Sequence, residues 1–402
     1  MRRKRSANGH AGARGVEAAR GVGLRTRQRR PLRAHRRTRC RLRHLQASPL
    51  TPQSRERHTL TDNTADIAIV GFAHAPHVPE TFGTTNGVEM LVPCFQQLYD
   101  RLGITKADID FWCSGSSDYL AGRAFSFISA VDAIGAVPPI NESHVEMDAA
   151  WALYEAWVKI RSGQARTALV YGFGKSSAGT LRQILTMQLD PYLVAPLWPD
   201  ALSIAGLQAR AGLDRGRWTE QDMARVAAGA DSDVESLLSA PYVADPLRAH
   251  DIAPITDGAA AIVLAAGDRA RELCERPAWI TGIAHQIDTP VFGARDLTVS
   301  PSTSAAAQAV TGGDTGFDIA ELHAPFSHQQ LILTEAIGLK NGTRVNPSGG
   351  ALAANPMFAA GLERIGFAAE AIMAGSAGRA LAHATSGPAL QQNLVSVLEA
   401  HS

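Results

Sequence analysis

The sequence lacks closely spaced cysteines and long apolar runs. Its 402 residues include only four cysteines, and none of them stands in a C-x-x-C pair or beside a histidine: Cys40, Cys94, Cys113 and Cys274. This spacing argues against a zinc site or a disulfide scaffold and favours reduced cysteines in a cytoplasmic protein, so no metal is expected. The longest apolar runs are interrupted by Gly, Asp or Pro well before the ~18 residues that a transmembrane helix needs, so no membrane span is predicted.

Acidic residues are scarce near the amino terminus. Residues 1–60 contain 18 of the 39 lysines and arginines but only two of the 38 acidic residues, which leaves 21 basic and 36 acidic residues, a net charge of −15, for residues 61–402. Residues 1–62 show almost no apolar periodicity and are predicted to be disordered. Three interpretations of this leader stay open: a targeting peptide, a nucleic-acid-binding arm, or a wrongly chosen start codon. The acidic remainder lacks the positive field that recruits nucleic acid or an anionic membrane.

Strand and helix patterns alternate through the rest of the chain. The apolar runs 67–74 and 279–285 both end in Gly-x-Ala-His, 211 residues apart, which indicates a duplicated domain. Further helices are predicted at 88–102, 124–134, 304–310, 329–337 and 361–374, and further strands at 109–113, 168–171 and 319–322. This alternation predicts an α/β fold in which helices cover both faces of mostly parallel sheets.

The domain boundaries follow from the same patterns. We predict two halves, residues 63–268 and 269–402, and a polar, Pro-rich insertion in the first half at about 179–255. The insertion contains a predicted helix at 219–237 that begins with a capping box formed by Thr219 and Asp222.

Residues 143–175 are the stretch around which the chain is organised. They read as a polar turn, large apolar residues at helical spacing, a break at Ser162-Gly163 and an apolar strand. Small residues interleave with the large ones, which predicts a helix that packs on more than one side. The residue that begins such a helix lies among unpaired backbone N–H groups at the centre of the molecule, and the pattern places Glu146 there.

The same stretch resembles the sterol-carrier-protein type of thiolase. In that family a nucleophilic cysteine opens a buried helix, which is followed by a strand and a Gly-Phe-Glu-Lys-Met segment. Here residues 172–176 read Gly-Phe-Gly-Lys-Ser, and counting back without a gap puts Glu146 on the cysteine. Residues 257–264 resemble the Asp-Gly-Ala-Ala-Ala strand that ends the first half of thiolases. The resemblance spans about residues 66–400 and implies the thiolase fold: duplicated βαβαβαββ halves that form a five-layered α-β-α-β-α core, with an inserted loop domain that holds coenzyme A.

Three motifs in the second half carry the resemblance further. Residues 321–327 match the Glu-Leu-His-x-x-Phe-Ser segment, whose histidine helps to form an oxyanion hole, and that role falls to His323. Residues 346–356 match the segments Asn-x-Gly-Gly and Gly-His-Pro, and Asn355 takes the position of the histidine that activates the nucleophile. Residues 383–387 match the segment of a second catalytic cysteine, and no cysteine is present there. The candidate catalytic residues are therefore Glu146, His323 and Asn355.

The missing cysteines disfavour thiolysis. A carboxylate that attacked a thioester would form a mixed anhydride, so Glu146 is a poor acyl carrier. A hydrogen-bond donor at the thioester oxygen still stabilises an enolate, and retro-aldol cleavage of a 3-hydroxyacyl thioester needs only that donor and a base on the hydroxyl. We predict this reaction with Glu146 as the base, tuned by His144 and Asp148. The alternative is that Glu146 and Asp148 cap the helix.

The resemblance also bears on substrate and partners. Some thiolase-like lipid-transfer proteins of actinobacteria cleave steroid side chains by retro-aldol reaction on a 3-hydroxyacyl-CoA, together with a small OB-fold/zinc-ribbon partner. An acyl-CoA substrate, coenzyme A as part of the substrate rather than as a bound cofactor, a dimer formed through edge strands and such a partner are therefore expected. This chain departs from those aldolases, which rely on tyrosines in the second half, because its last tyrosine is Tyr242. A non-catalytic acyl-CoA-binding or lipid-transfer subunit of a thiolase-fold hetero-oligomer stays open as the alternative.

Overall fold

A computed structural model describes residues 66–82, 86–118, 126–228 and 233–401. The predicted disordered leader lies outside these residues. Within them, no helix is both long enough and apolar enough to cross a membrane. The boundaries predicted for the two halves and for the insertion stay predictions.

The described residues contain fourteen strands. In chain order they are β1 Ile67–His74, β2 Phe111–Gly115, β3 Glu142–Val145, β4 Thr167–Gly174, β5 Tyr242–Ala244, β6 Leu247–Arg248, β7 Ile255–Thr256, β8 Gly258–Ala266, β9 Ala278–Ile287, β10 Ile319–Leu322, β11 Arg344–Val345, β12 Asn355–Pro356, β13 Arg379–Ser386 and β14 Gln392–Ala400. Ten of them form one sheet in the order β11-β10-β13-β14-β9-β1-β8-β4-β2-β3. Strands β5 and β6 pair with each other, and so do β7 and β12.

The helices that accompany these strands are α1 Leu91–Leu102, α2 Ser126–Ile134, α3 Ala149–Arg161, α4 Leu181–Met187, α5 Ala201–Asp214, α6 Glu220–Ala228, α7 Val234–Ser239, α8 Gly267–Leu273, α9 Pro301–Thr311, α10 Ser327–Ile337, α11 Gly350–Ala353 and α12 Ala360–Met373. Helix α6 begins at the predicted capping box, in which the backbone N–H groups of Thr219 and Asp222 each donate to the other residue's side chain. The helix predicted at 219–237 is observed as α6 and α7, and residues 229–232 between them lie outside the described residues.

The strand order confirms the duplication. Read outward from the centre, the first half has the order β1-β8-β4-β2-β3 and the second half β9-β14-β13-β10-β11. The strands of the predicted repeat, β1 and β9, are antiparallel neighbours where the halves meet. In each half the outer three strands are parallel and the inner two are antiparallel to their neighbours. The equivalent helices α1 and α9 also end alike, at Gly103 and Gly312 in the left-handed conformation.

Three of the buried apolar clusters in the described residues join helices to the sheet strands. The central cluster contains α3 and α12, which contact each other, together with residues from the strands of both halves. A second cluster joins α1 and α2 to the first-half strands, and a third joins α9 and α10 to the second-half strands. The layers therefore alternate between helices and sheet, as the predicted α-β-α-β-α core requires.

Most predicted elements match the observed ones closely. The strands predicted at 67–74 and 319–322 have these bounds in the structure. The strand predicted at 109–113 begins two residues later, at Phe111, because a 3₁₀ turn occupies Lys106–Asp108. Thr105 caps that turn in a reciprocal capping box, which keeps the following residues out of the sheet.

Glycines let the chain pass close to the carboxyl ends of β2 and β4. A Cβ atom at Gly115 would lie 2.5 Å from the backbone nitrogen of Ala149, and one at Gly172 would overlap the carbonyl oxygen of Phe358. The backbone N–H of Ala149 donates to that same carbonyl at 2.9 Å. This close packing holds the segment after Asn355 against the start of α3, which brings elements of both halves to one end of the sheet.

Candidate functional site

His323 and Asn355, two of the candidate catalytic residues, lie side by side. His323 directly follows β10 and is only 7% exposed. Its Nε2 lies 3.0 Å from the Oδ1 atom of Asn355. Asn355 is fixed by the pairing of β12 with β7 and by its backbone N–H, which donates to the Oγ1 atom of Thr256 at 3.1 Å. Two of the three candidate residues therefore form one constellation, although they are 32 positions apart in sequence.

The surroundings of His323 determine the charge of its ring and which ring nitrogen carries the proton. Burial lowers its pKa to about 3, so the ring is neutral near pH 7. The backbone N–H of Thr385 points at Nδ1 from 3.4 Å, which makes Nδ1 an acceptor and places the ring proton on Nε2. Nε2–H then donates to Asn355 Oδ1. The Nδ2 group of Asn355 is a second donor, and it takes no part in the contact with His323.

The segment 383–387 lies beside this pair. The backbone N–H of His323 donates to the carbonyl oxygen of His383 at 3.2 Å, and the two strands run parallel there. His383 is fully buried with its Nε2 at 3.0 Å from Asn393 Oδ1, and burial lowers its pKa to about 4. The position that the resemblance gives to a second cysteine is thus occupied by neutral, hydrogen-bonded groups.

Glu146 does not begin the helix, which corrects the sequence prediction. Helix α3 starts at Ala149 and its cap is Asp148, two residues beyond Glu146. The Glu146 side chain is 52% exposed, and among the described residues its carboxylate accepts from the backbone N–H of Asp118 at 3.0 Å and lies 3.4 Å from His144 Nε2. His144 in turn contacts Ser114 Oγ at 2.9 Å through Nδ1. Counting residues without a gap gave the wrong position because β3 ends at Val145 and Glu146 and Met147 lie between this strand and the cap of the helix.

Asp148 takes the position that the pattern assigned to Glu146. Its Oδ1 accepts from the backbone N–H groups of Ala150 at 2.9 Å and Leu362 at 3.1 Å, and its Oδ2 accepts from Gly361 at 2.9 Å. One carboxylate therefore caps α3 and α12 together, which fits the alternative that sequence left open for this residue. Asp148 is only 5% exposed, and burial raises its pKa to about 6 in spite of these hydrogen bonds.

We expect the stability contributed by Asp148 to depend on pH. Its pKa is raised from 3.8 to about 6 on folding, so the native state favours the protonated form. The wild-type protein should therefore lose about 2 kcal/mol relative to Asp148→Asn as pH rises from about 4 to about 7. Urea unfolding of both proteins across this range measures the difference. A constant difference would show that Asp148 titrates alike in the folded and unfolded chains.

A buried ionic network that the sequence analysis did not anticipate lies beside the site. Arg364 is 1% exposed, and its Nη1 lies 3.2 Å from Glu321 Oε2 and 2.7 Å from Ser348 Oγ. Its Nη2 lies 3.5 Å from Glu363 Oε2. Burial raises the pKa of Glu321, although Arg364 and Ser348 act in the opposite direction. The available signal was the adjacent Glu-Arg pair inside an otherwise apolar helical stretch, since charged residues are rarely buried unless they are paired.

The strand order and the two equivalent halves show that this chain has the thiolase fold. Many solved structures are similar to it, and three of them illustrate the likeness. They are an Ltp2-ChsH2(DUF35) aldolase, with a TM-score of 0.69 and 17% identity over 83% of this chain and 98% of that chain; the acetyl-CoA acetyltransferase of Bacillus anthracis, with 0.67 and 16% over 84% and 99%; and human mitochondrial 3-ketoacyl-CoA thiolase, with 0.66 and 14% over 84% and 100%. Identities this low establish the fold alone.

The chain is also similar in sequence to curated proteins, of which one illustrates the extent of the likeness. An acetyl-CoA acetyltransferase of Methanothermobacter thermautotrophicus is 32% identical over 173 residues, which cover 36% of this chain and 44% of the relative. The match thus spans less than half of that relative's length. No protein-family model matches the chain.

Proposed function

We propose that this protein cleaves a carbon–carbon bond in 3-hydroxyacyl-CoA esters of bulky lipids or sterols by a retro-aldol reaction. The observation that carries the proposal is the contact between a buried, neutral His323 and a partly buried Asn355 in a fold shared with an Ltp2-ChsH2(DUF35) aldolase. The pair offers hydrogen-bond donors for a thioester oxygen, and the positions that would hold nucleophilic cysteines contain other residues.

The cysteines of the described residues do not support an acyl-enzyme. The thiols of Cys94 and Cys113 are buried, and burial raises the pKa of Cys94 to about 12 and that of Cys113 further still. Neither forms a thiolate near neutral pH, and the thiolate is the nucleophile in such chemistry. Cys274, which is partly exposed, follows α8 and lies outside the segments that form the site.

The proposed reaction needs one base and one oxyanion site. A base removes the proton of the 3-hydroxyl group, the bond between C2 and C3 breaks, and C3 leaves as an aldehyde or ketone. The electron pair passes to C2 and the thioester carbonyl, which becomes an enolate and is then protonated at C2 to give the shortened acyl-CoA. Asn355 Nδ2–H donates to the enolate oxygen, and His323 Nε2–H exchanges its bond to Asn355 Oδ1 for one to that oxygen, where negative charge develops in the transition state.

Glu146 is the proposed base. Its carboxylate is half-exposed in the turn between β3 and α3, next to His144 and the carboxyl end of β2. The backbone N–H of Asp118 engages Oε1, and Oε2 retains lone pairs that can accept a substrate proton. Asp148, by contrast, uses its carboxylate to cap two helices, so it serves to hold the site together.

Exposed apolar side chains in the predicted insertion are consistent with a substrate that has a bulky, apolar acyl group. Gln188 Nε2 lies 3.4 Å from Ser117 Oγ, which ties the residues after α4 to the loop that follows β2. The next residues expose four large apolar side chains, whose exposed fractions run from 55% to 85%: Tyr192, Leu193, Leu197 and Trp198. Apolar surface of this kind suits a lipid or sterol acyl chain. Coenzyme A would enter as part of this substrate, and the reaction needs no resident cofactor.

Partners are part of the proposal. The Ltp2-ChsH2(DUF35) aldolase is named after two components, which supports a partner chain for this protein. We propose that this partner is a small OB-fold/zinc-ribbon protein, as the resemblance implies. A dimer with a second thiolase-like chain, identical or different, is proposed as well, in the cytoplasm.

Mass spectrometry of acyl-CoA products tests the proposal. The full chain is incubated with steroid and straight-chain 3-hydroxyacyl-CoA esters, alone and with thiolase-like and OB-fold chains encoded nearby. We expect release of a carbonyl product and a shortened acyl-CoA, and Glu146→Gln should lower the rate about 100-fold while the ester still binds. Glu155→Gln, a change in the adjacent helix, serves as the matched control and should leave the rate unchanged. Equal rates for Glu146→Gln and wild type would reject Glu146 as the base.

A non-catalytic acyl-CoA-binding or lipid-transfer subunit is the second candidate function. It is favoured by the engagement of Asp148 in capping and by the exposed position of Glu146. If a mixture with a sister chain cleaves the ester equally well with Glu146→Gln and with His323→Ala, this chain supports an active partner and does not itself catalyse.

A further inference from the structure

Two histidines and a glutamate converge at the end of β1. His74 is the last residue of β1, His77 follows in the next turn, and Glu363 lies in the first turn of α12. One ligand atom from each of the three lies within 4.8 Å of the others. Two imidazoles and one carboxylate are the donor set of many zinc sites. Nearly 290 positions separate the histidines from the glutamate, which is why the spacing of residues along the chain did not reveal them.

The orientation of each donor fits a metal ligand. His74 Nδ1 lies 3.0 Å from the carbonyl oxygen of Ala75, so it carries a proton and leaves Nε2 with its lone pair. A backbone carbonyl that fixes the second ring nitrogen is the usual support of a histidine that binds a metal. His77 Nε2 lies 2.8 Å from Glu363 Oε1, and the two imidazole rings are stacked with centroids 5.1 Å apart. The three donors thus face one another with no residue between them.

The charge balance of the surroundings favours a cation there. Glu363 is fully buried, and its neighbours in the buried network are Arg364 and Glu321. Two carboxylates share one guanidinium, and the side of Glu363 that does not face Arg364 faces the imidazole of His77. Buried charge of this kind is paired or coordinates a metal. The His77 side chain is 23% exposed, so an ion can reach the cluster from solvent.

We propose that His74, His77 and Glu363 bind a zinc ion, which ties the end of β1 to the start of α12. Imidazole nitrogens select a borderline ion of this type over Mg²⁺ or Ca²⁺, which take mainly oxygen ligands. Three protein ligands leave one tetrahedral position for water. The proposal reverses the expectation of no metal that the cysteine spacing suggested, and it is independent of the proposed cleavage reaction.

Zinc titration of the metal-free full chain tests the site. The protein is stripped with EDTA, dialysed and titrated with Zn²⁺ by calorimetry, and the retained metal is counted by mass spectrometry. We expect one Zn²⁺ per chain in the wild type, and binding at least about 100-fold weaker in His74→Gln, which removes one ligand. His401→Gln, a change at an exposed histidine, should bind zinc as the wild type does.

Two outcomes would overturn the site. The first is a wild-type protein that retains no zinc after dialysis, and the second is equal affinity in the wild type, His74→Gln and His401→Gln, which would show adventitious surface binding only. Co²⁺ provides a second reading, because an ion in a four-coordinate site absorbs visible light much more strongly than the hydrated ion. Wild type without this absorption gain would also reject the geometry. Far-UV circular dichroism in EDTA shows whether His74→Gln is folded, and Glu363→Gln replaces it if it is not.

Discussion

Replacing Arg364 by methionine should lower the free energy of unfolding by about 3–5 kcal/mol. Arg364 lies 3.2 Å from Glu321 and 3.5 Å from Glu363, and all three side chains are at most 2% exposed. Methionine fills similar volume without a charge, so both carboxylates would stay buried without their cationic partner. The loss of one partner from a buried ionic cluster is much more costly than the loss of the whole cluster, because a desolvated charge is left behind.

Urea unfolding at neutral pH in the presence of EDTA measures this loss. Arg215→Met is the matched control, since Arg215 is 55% exposed and pairs with a surface carboxylate, Asp296. Surface pairs of this kind contribute up to about 1 kcal/mol, so the control should stay close to wild type. If the two variants lose equal stability, the Arg364 network does not hold the charges that its geometry indicates.

Replacing His323 by alanine should lower kcat/KM for cleavage of the 3-hydroxyacyl-CoA by about 100-fold to 1000-fold. The ring proton lies on Nε2 because Thr385 donates to Nδ1, and burial keeps the ring neutral. A neutral donor of fixed orientation stabilises the enolate without a rearrangement of solvent. Because the charge on the oxygen develops in the transition state, the loss should fall mainly on kcat, with little change in KM.

His328→Gln is the matched control for this experiment. His328 is also fully buried, and burial lowers its pKa to about 3, but it lies in α10 and contacts Gln208 at 3.2 Å. It should lose stability without a specific loss of kcat. His323→Gln retains an amide donor and should recover part of the activity. If His323→Ala raises KM and leaves kcat unchanged, His323 positions the substrate and does not stabilise the enolate.

Much of the architecture could be predicted because it depends on local patterns. Strands β1 and β10 matched their predicted bounds, since short apolar runs ended by turn residues specify a buried strand without reference to the rest of the chain. The repeat of Gly-x-Ala-His predicted two equivalent halves, and β1 and β9 do meet at their junction. His323 and Asn355 were each named as candidates through resemblance, but their contact was not predicted, because nothing in the 31 residues between them indicates it.

The carboxylate at the start of α3 shows where sequence alone was insufficient. Pattern and counting placed Glu146 there, whereas the helix begins at Ala149 with Asp148 as its cap. Both residues have a carboxylate that can cap a helix, so residue type does not distinguish Glu146 from Asp148. The choice is made by Gly361 and Leu362, whose backbone N–H groups reach Asp148 from the other half of the molecule.

By itself, the sequence determined the alternation of strands and helices, the duplication and the absence of cysteines from the segments that resemble catalytic ones, since each depends only on residue type and spacing. Only the tertiary structure decided which acidic residues are buried, which hydrogen-bond partners give His323 its proton arrangement, and that His77 meets Glu363. These properties depend on desolvation and on contacts between residues more than 30 positions apart, up to nearly 290. Neither desolvation nor such contacts can be predicted from the residues that are neighbours in the sequence.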